Sequence, residues 1–227
     1  MKPYVICHML MSLDGRIVTS GWPLSSEGRG EYEATGSSFE ARAWMCGRVT
    51  MAAFAQGEAP VNAPDRSEIQ KIDYIAPGEH SSYAIAIDAN GKLNWETNEI
   101  GGDHVVTVLT KRVSTGYLAA LRSQQVSYLF SGRDTIDLAL VLDKLGRQFG
   151  IEKLLLEGGG KINGAMLEAG LIDELSILVA PIADGSTGTP TLFDLPRLTA
   201  NGHAGVRWRL RSLDRRSDDI IWLRYVR

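Results

Sequence analysis

The residues most able to do chemistry lie where apolar runs end in glycine. Residues 154–164, LLLEGGGKING, place Glu157 at the end of an apolar run, followed by Gly158, Gly159 and Gly160 and then Lys161, Ile162 and Asn163. Bare backbone at a strand exit lets amides approach a ligand, and a helix starting there attracts anions. One reading is a phosphate or pyrophosphate against residues 158 to 161; the other is a close-packing device. Cys46-Gly47-Arg48-Val49-Thr50 repeats the arrangement and adds a guanidinium and a hydroxyl. Thr110-Lys111-Arg112 follows a further apolar run with cations that suit a 2′-phosphate or simply face solvent. Two such junctions can hold the two ends of one dinucleotide.

Rival chemistries fit poorly. A phosphate-binding loop of the ATPase type needs Gly at 155 and Ser or Thr at 162, where the chain has Leu155 and Ile162. A Rossmann fingerprint starting at Gly158 needs Gly in place of Asn163. His8, His80, His104 and His203 show no metal-ligand spacing, so no metal is expected, and no G-x-S-x-G elbow occurs.

The elements that must position these groups alternate. Apolar, β-branched runs at 4–11, 43–46, 83–88, 104–109, 127–130, 153–156 and 174–180 read as strands. Helices are expected at about 31–43, from residue 47 onward, between the strands at 104–109 and 127–130, at 135–149 and at 161–169, the last capped by Gly170. Such alternation implies parallel crossovers and an α/β sheet covered on both faces. The segments VRWRLRS and IIWLRYV flank DRRSDD and predict a C-terminal antiparallel hairpin, so the sheet is mixed. Arg207, Arg209 and Arg211 alternate along the first of these strands and read as edge guards. Residues 57–82, rich in Pro, Gly, Asp and Ser, read as an irregular excursion that covers a site or contacts a partner.

With 227 residues, one domain spanning 1–227 is expected. A net charge of −3 argues against a nucleic-acid surface, which needs a basic face, and leaves a small molecule as the expected partner. Cys7 and Cys46 sit in apolar runs and read as reduced thiols of a cytoplasmic protein. No run reaches membrane-spanning length.

The motifs MSLDGRI, GRVT, AIDANGKL and EGGGKINGAMLEAGLIDELSILVAPIADG together resemble the riboflavin-biosynthesis pyrimidine reductase family over essentially the whole chain. The resemblance implies a dihydrofolate reductase-like fold, NADPH as cofactor, a homodimer and hydride transfer to the ribosyl group of a ribosylaminopyrimidine 5′-phosphate. With no H-x-E or P-C-x-x-C, it implies a stand-alone reductase. Carried over, it places Thr50 and the segment Gly159 to Ala165 on NADPH, Glu157 on the substrate ribose and Asp14 near the nicotinamide. Similarity of Gly47-Arg48-x-Thr50 to dihydrofolate reductases favours Arg48 as a 2′-phosphate ligand.

Two departures fall on the substrate side. The family's Lys four residues before the Ser of S-L-D-G is His8 here, and its Asp-Asp-Pro and Arg are replaced by AFAQGEAPVNAP. His8 is expected to orient the acceptor or assist protonation, or to be satisfied by a neighbour. Alternatives are a related reductase with another acceptor, a dihydrofolate reductase using Glu31 or Glu33, and a non-catalytic NADPH-binding module.

Overall fold

A computed structural model describes residues 2–55, 68–195 and 205–227. The elements in chain order are β1 (Tyr4–Met11), α1 (Ser26–Ser37), β2 (Ala43–Gly47), α2 (Arg48–Met51), β3 (Tyr83–Ile87), β4 (Glu99–Ile100), β5 (Asp103–Leu109), α3 (Thr115–Ser123), β6 (Ser127–Phe130), α4 (Leu138–Phe149), β7 (Lys153–Leu156), α5 (Gly160–Glu168), β8 (Glu174–Val179), β9 (Arg209–Arg215) and β10 (Ile221–Val226). The architecture is the expected mixed α/β one, with mostly parallel strands and a C-terminal antiparallel hairpin.

The chain divides into two compact units, Met1–Pro3 with Arg42–Leu154, and Tyr4–Ala41 with Leu155–Arg227. In the first, β2, β3, β5 and β6 pair in parallel in that order, and β4 forms a short antiparallel ladder with β5. The strands YAIAI and DHVVTVL are almost wholly apolar because parallel strands are buried on both faces. Leu118 and Leu121 of α3 pack with Met51, Ala84, Trp95 and Tyr128 in its core. The hydroxyl of Ser114 accepts from Tyr117 N and caps α3; Asp137 does the same for Leu140 N at α4, which ends on Gly150 at φ 64°.

In the second unit, β1 pairs in parallel with β8, β8 in antiparallel with β10, and β10 with β9 across an irregularity at Arg224/Tyr225. Arg207 lies outside β9, while Arg209 and Arg211 lie on β9 at the edge of the sheet, where Arg211 also donates to buried Glu174 at 3.3 Å. Other boundaries also moved. Helix α1 starts at Ser26, where the Ser25 hydroxyl accepts from Gly28 N, and stops at Ser37, so the helix expected near 31–43 lies earlier. The helix expected after Gly47 is one turn, Arg48–Met51. Of the excursion at 57–82, residues 57–67 lie outside the described residues; the remainder is irregular and bridges Tyr74 to Tyr128 of β6.

Candidate active site

A cleft of about 390 Å³ opens in the second unit. Met9 and Leu10 of β1, with Ile17 and Leu24, give it an apolar lining; Thr19, Arg29 and Tyr32 of the following loop and α1, and Glu157 after β7, supply its polar groups. A carboxylate, a guanidinium and an aromatic ring in one cleft suit a small molecule that carries hydroxyls, an anionic group and a flat ring. Arg29, Thr19 and Tyr32 were not among the residues expected from sequence. Their signal was their place on a Ser-capped helix start and the loop leading to it, and no motif marks that.

The glycine run after Glu157 serves two purposes. Gly158, at φ 93°, needs glycine for its conformation. Gly159 precedes α5 as an N-cap with no side-chain hydrogen bond, so the start of the helix carries no side-chain cap. Gly160 and Gly164 instead face the segment Thr191–Leu195: a Cβ on Gly160 would overlap the Thr191 carbonyl and the Asp194 carboxylate, and one on Gly164 would sit 2.6 Å from the Asp194 carbonyl oxygen. The Asp194 carboxylate itself takes the N–H and O–H of Thr191. Lys161 is exposed, Ile162 is a core side chain, and Asn163 donates to the Leu192 carbonyl at 3.0 Å. The amides of Ile162 and Asn163 both bond the Gly159 carbonyl. Ile162 and Asn163, expected on the cofactor, thus have their amides and the Asn163 side-chain amide bonded within the fold.

Asp14 is exposed, and its carboxylate accepts the Ser12 hydroxyl at 2.7 Å and the amides of Asp184 and Gly185. These donors hold it far below the usual carboxylate range, so it stays ionised and cannot deliver a proton near neutrality.

His8, expected to orient the acceptor or assist protonation, does neither directly. It is fully buried and does not line the cleft. Its Nε2 lies 2.9 Å from the Tyr32 carbonyl, which can only accept, so Nε2 carries the hydrogen and Nδ1 accepts from the Ser176 hydroxyl at 2.9 Å. Ser176 Oγ in turn accepts from Trp222 Nε1 at 2.8 Å. Burial lowers the imidazole from 6.5 to about 4, against the opposing effect of the Tyr32 and Ser176 bonds, so the ring is neutral at pH 7.

This neutrality has a measurable cost in acid. Between pH 6.5 and 4 the unfolded chain takes up a proton at His8 that the folded chain refuses, so stability is full above that window and falls as pH drops through it. The expected loss is about 3 kcal/mol by pH 4. His104 on β5, lowered to about 4 by burial and by His80 stacked 3.7 Å away, adds to the loss with the same sign. Melting temperatures from pH 7 to 4.5 should therefore fall less steeply for His8→Phe than for the parent; coincident slopes would refute the assignment.

The other expected site residues belong to the first unit. Gly47 starts α2 without a side-chain cap, but a single turn has little dipole. Arg48 is within electrostatic reach of Asp88, whose carboxyl is pushed up by burial, and Thr50 is half-buried. The Thr110 hydroxyl donates to the Ala89 carbonyl at 2.6 Å, and the Lys111 ammonium donates to the Lys71 carbonyl and lies 4.2 Å from the Phe130 ring centroid. Thr110 and Lys111, expected on the cofactor, thus each have a carbonyl partner nearby. Glu31, the candidate pterin carboxylate, is buried and bonded to Arg216 at 2.8 Å and the Ser217 amide at 3.1 Å, which removes it from that role. Cys7 and Cys46 are free and buried, as the sequence suggested. Among the described residues, no cluster of three or more His, Cys, Asp or Glu could hold a metal, and no helix is long and apolar enough to cross a membrane.

A family model described as the RibD C-terminal domain matches residues 3–222. The chain is 29% identical over 196 residues to the 2,5-diamino-6-ribosylamino-4(3H)-pyrimidinone 5′-phosphate reductase of Methanothermobacter thermautotrophicus, covering 86% of this chain and 85% of that one. It shares its fold with a pyrimidine reductase-like protein of Corynebacterium diphtheriae, at TM-score 0.71 and 15% identity over 99% of this chain and 91% of that one. The riboflavin biosynthesis reductase of Saccharomyces cerevisiae is similar at TM-score 0.64 and 17% identity, over 99% and 90% of the two chains.

Proposed function

Because the chain belongs to the RibD C-terminal domain family, we propose that it is a riboflavin-biosynthesis reductase that uses NADPH to convert a ribosylaminopyrimidine 5′-phosphate into its ribitylamino product. The observation that carries this reading is the cleft in which Glu157 and Arg29 are charged groups beside an apolar and aromatic lining. Glu157 would accept hydrogen bonds from ribose hydroxyls, Arg29 would take the 5′-phosphate, and Tyr32 with Met9, Leu10, Ile17 and Leu24 would pack the pyrimidine and exclude water. The uncapped start of α5 fits the charge of a pyrophosphate, and Gly160 and Lys161 would hold it through their amides.

NADPH, when bound, supplies a hydride to the ribosyl carbon. The chain's own contribution is to bind and orient the acceptor. The proton that completes the reduction would come from solvent, since Asp14 stays ionised and buried His8 does not line the cleft. Arg48, carried from the resemblance, would favour the 2′-phosphate of NADPH over NADH. A second reading, reduction of another small acceptor at the same cleft, is favoured by His8 standing where the family's Lys is expected.

The test is NADPH consumption with the ribosylaminopyrimidine phosphate, preceded by thermal shift with each cofactor. At 100 times its dissociation constant NADPH should stabilise by about 2.7 kcal/mol, or roughly 5–10 °C, and NADH by much less. Shift without consumption would favour the second reading; no shift with either cofactor would overturn both. The same proposal includes a homodimer, for which half-exposed β10 and, on β9 beside it, Leu210 and Leu213, 49% and 57% exposed, offer apolar surface. Sedimentation equilibrium at micromolar concentration should show it, and a monomer there would refute it.

A further inference from the structure

We propose that His8 is a positioning residue for the acceptor, acting through Tyr32 to fix the helix that presents Tyr32 and Arg29 to the cleft; this rests on the reductase reading above. His8 and Tyr32 are joined three ways. The His8 Nε2–H donates to the Tyr32 carbonyl at 2.9 Å, the Tyr32 hydroxyl donates back to the His8 carbonyl at 3.1 Å, and the two rings stack with centroids 4.5 Å apart and 24° between planes. The tyrosine is therefore held at its backbone, its ring and its hydroxyl by one residue of β1.

The ring of His8 is itself fixed in direction. Trp222 Nε1–H donates to Ser176 Oγ, and the Ser176 hydroxyl donates to His8 Nδ1, so β10 and β8 set the tautomer that addresses α1. Phe39 closes the surroundings with its ring edge-on, 6.0 Å from His8. A neutral imidazole suits this place: it offers one donor and one acceptor in the orientation that a carbonyl on one side and a hydroxyl on the other require.

Gly36 supports the same conclusion from an independent direction. Glycine is unfavourable inside a helix, yet Gly36 is buried near the end of α1. A Cβ there would sit 3.2 Å from His8 Nε2 and 3.3 Å from its Cδ2, tight enough that the imidazole would have to shift by a few tenths of an ångström from its place against the Tyr32 carbonyl. His8 and Gly36 act as a matched pair, and the residues they align, Tyr32 and Arg29, are one and two turns further up the same helix and line the cleft.

The experiment compares the parent with His8→Phe, His8→Gln and Gly36→Ala in steady-state reduction of the ribosylaminopyrimidine phosphate, with NADPH affinity measured separately. His8→Phe keeps a stacking ring but removes both bonds; it should raise the acceptor KM by about tenfold while kcat and the NADPH dissociation constant stay within about twofold. Gly36→Ala should move KM in the same direction by displacing the ring. His8→Gln, which keeps an N–H for Tyr32 and an oxygen for Ser176, should restore most of the affinity. A purely structural role would lower the active fraction, and hence apparent kcat, at unchanged KM. That pattern, or a KM unchanged in both His8→Phe and Gly36→Ala, would overturn the proposal. Absence of turnover in the parent would instead overturn the reductase reading on which it rests. If His8→Phe fails to fold, Gly36→Ala and His8→Gln carry the same comparison.

Discussion

Gly160→Ala is expected to lower the melting temperature by roughly 6–12 °C, or to prevent folding, because the new methyl group has no room and its neighbours cannot yield. It would overlap the Thr191 carbonyl and the Asp194 carboxylate, with the Asp194 Cγ only 2.8 Å away. Both groups are tied down: Asp194 N donates to the Gly160 carbonyl at 2.9 Å, and the Asp194 carboxylate receives the Thr191 amide and hydroxyl. A clash against backbone costs about 3 kcal/mol at the upper end of overpacking, and each kcal/mol moves the midpoint of a domain this size by about 2–4 °C. Gly30→Ala in α1, where a Cβ meets nothing within 4 Å, is the control and should be neutral or stabilising by up to about 1 kcal/mol. A Gly160→Ala protein that melts like the parent but loses NADPH affinity would mean that this glycine faces the cofactor and that the packing account is wrong.

The same glycines show what the sequence could convey. Strand positions such as YVICHMLM and KLLL, the C-terminal hairpin and the Glu157-to-helix junction were legible because apolar runs and glycine breaks are local signals. The division of labour within GGGKING was not. Whether a glycine faces a ligand or another segment depends on where Thr191–Leu195 returns, some thirty residues later, and no local spacing encodes that. His8 is a similar case. Its place in an apolar strand left a cleft-facing role and a satisfied core role open; the outcome was decided by Tyr32, Ser176 and Trp222, brought together from three distant stretches. Thr110 and Lys111 carried the right chemical types for a phosphate site, yet their partners are the nearby carbonyls of Ala89 and Lys71. Gly36, an unfavourable residue inside a helix, lies where the His8 imidazole packs against it.

Glu157→Gln should lower kcat/KM for the ribosylaminopyrimidine phosphate by about a hundredfold while leaving NADPH-induced stabilisation intact. Glu157 is half-buried just after β7 and lines the cleft, and the proposed acceptor would bring its sugar hydroxyls to this carboxylate. Hydrogen bonds to a charged group are worth about 1.5–3 kcal/mol each, and about 2.7 kcal/mol of lost transition-state binding is a hundredfold in rate. Glutamine keeps the shape but turns one acceptor into a donor, so a hydroxyl pair is mispaired and the fold is retained. Arg29→Ala provides the contrast, because its loss should act on a different part of the acceptor. The parent should prefer the 5′-phosphorylated acceptor over its dephosphorylated form; Arg29→Ala should erase that preference, and Glu157→Gln should slow both forms alike. If Glu157→Gln instead removes the preference for phosphate, the carboxylate is organising the anion site rather than the ribose, and the orientation of the acceptor in the cleft must be reversed. If it changes neither rate nor KM, the acceptor does not occupy this cleft.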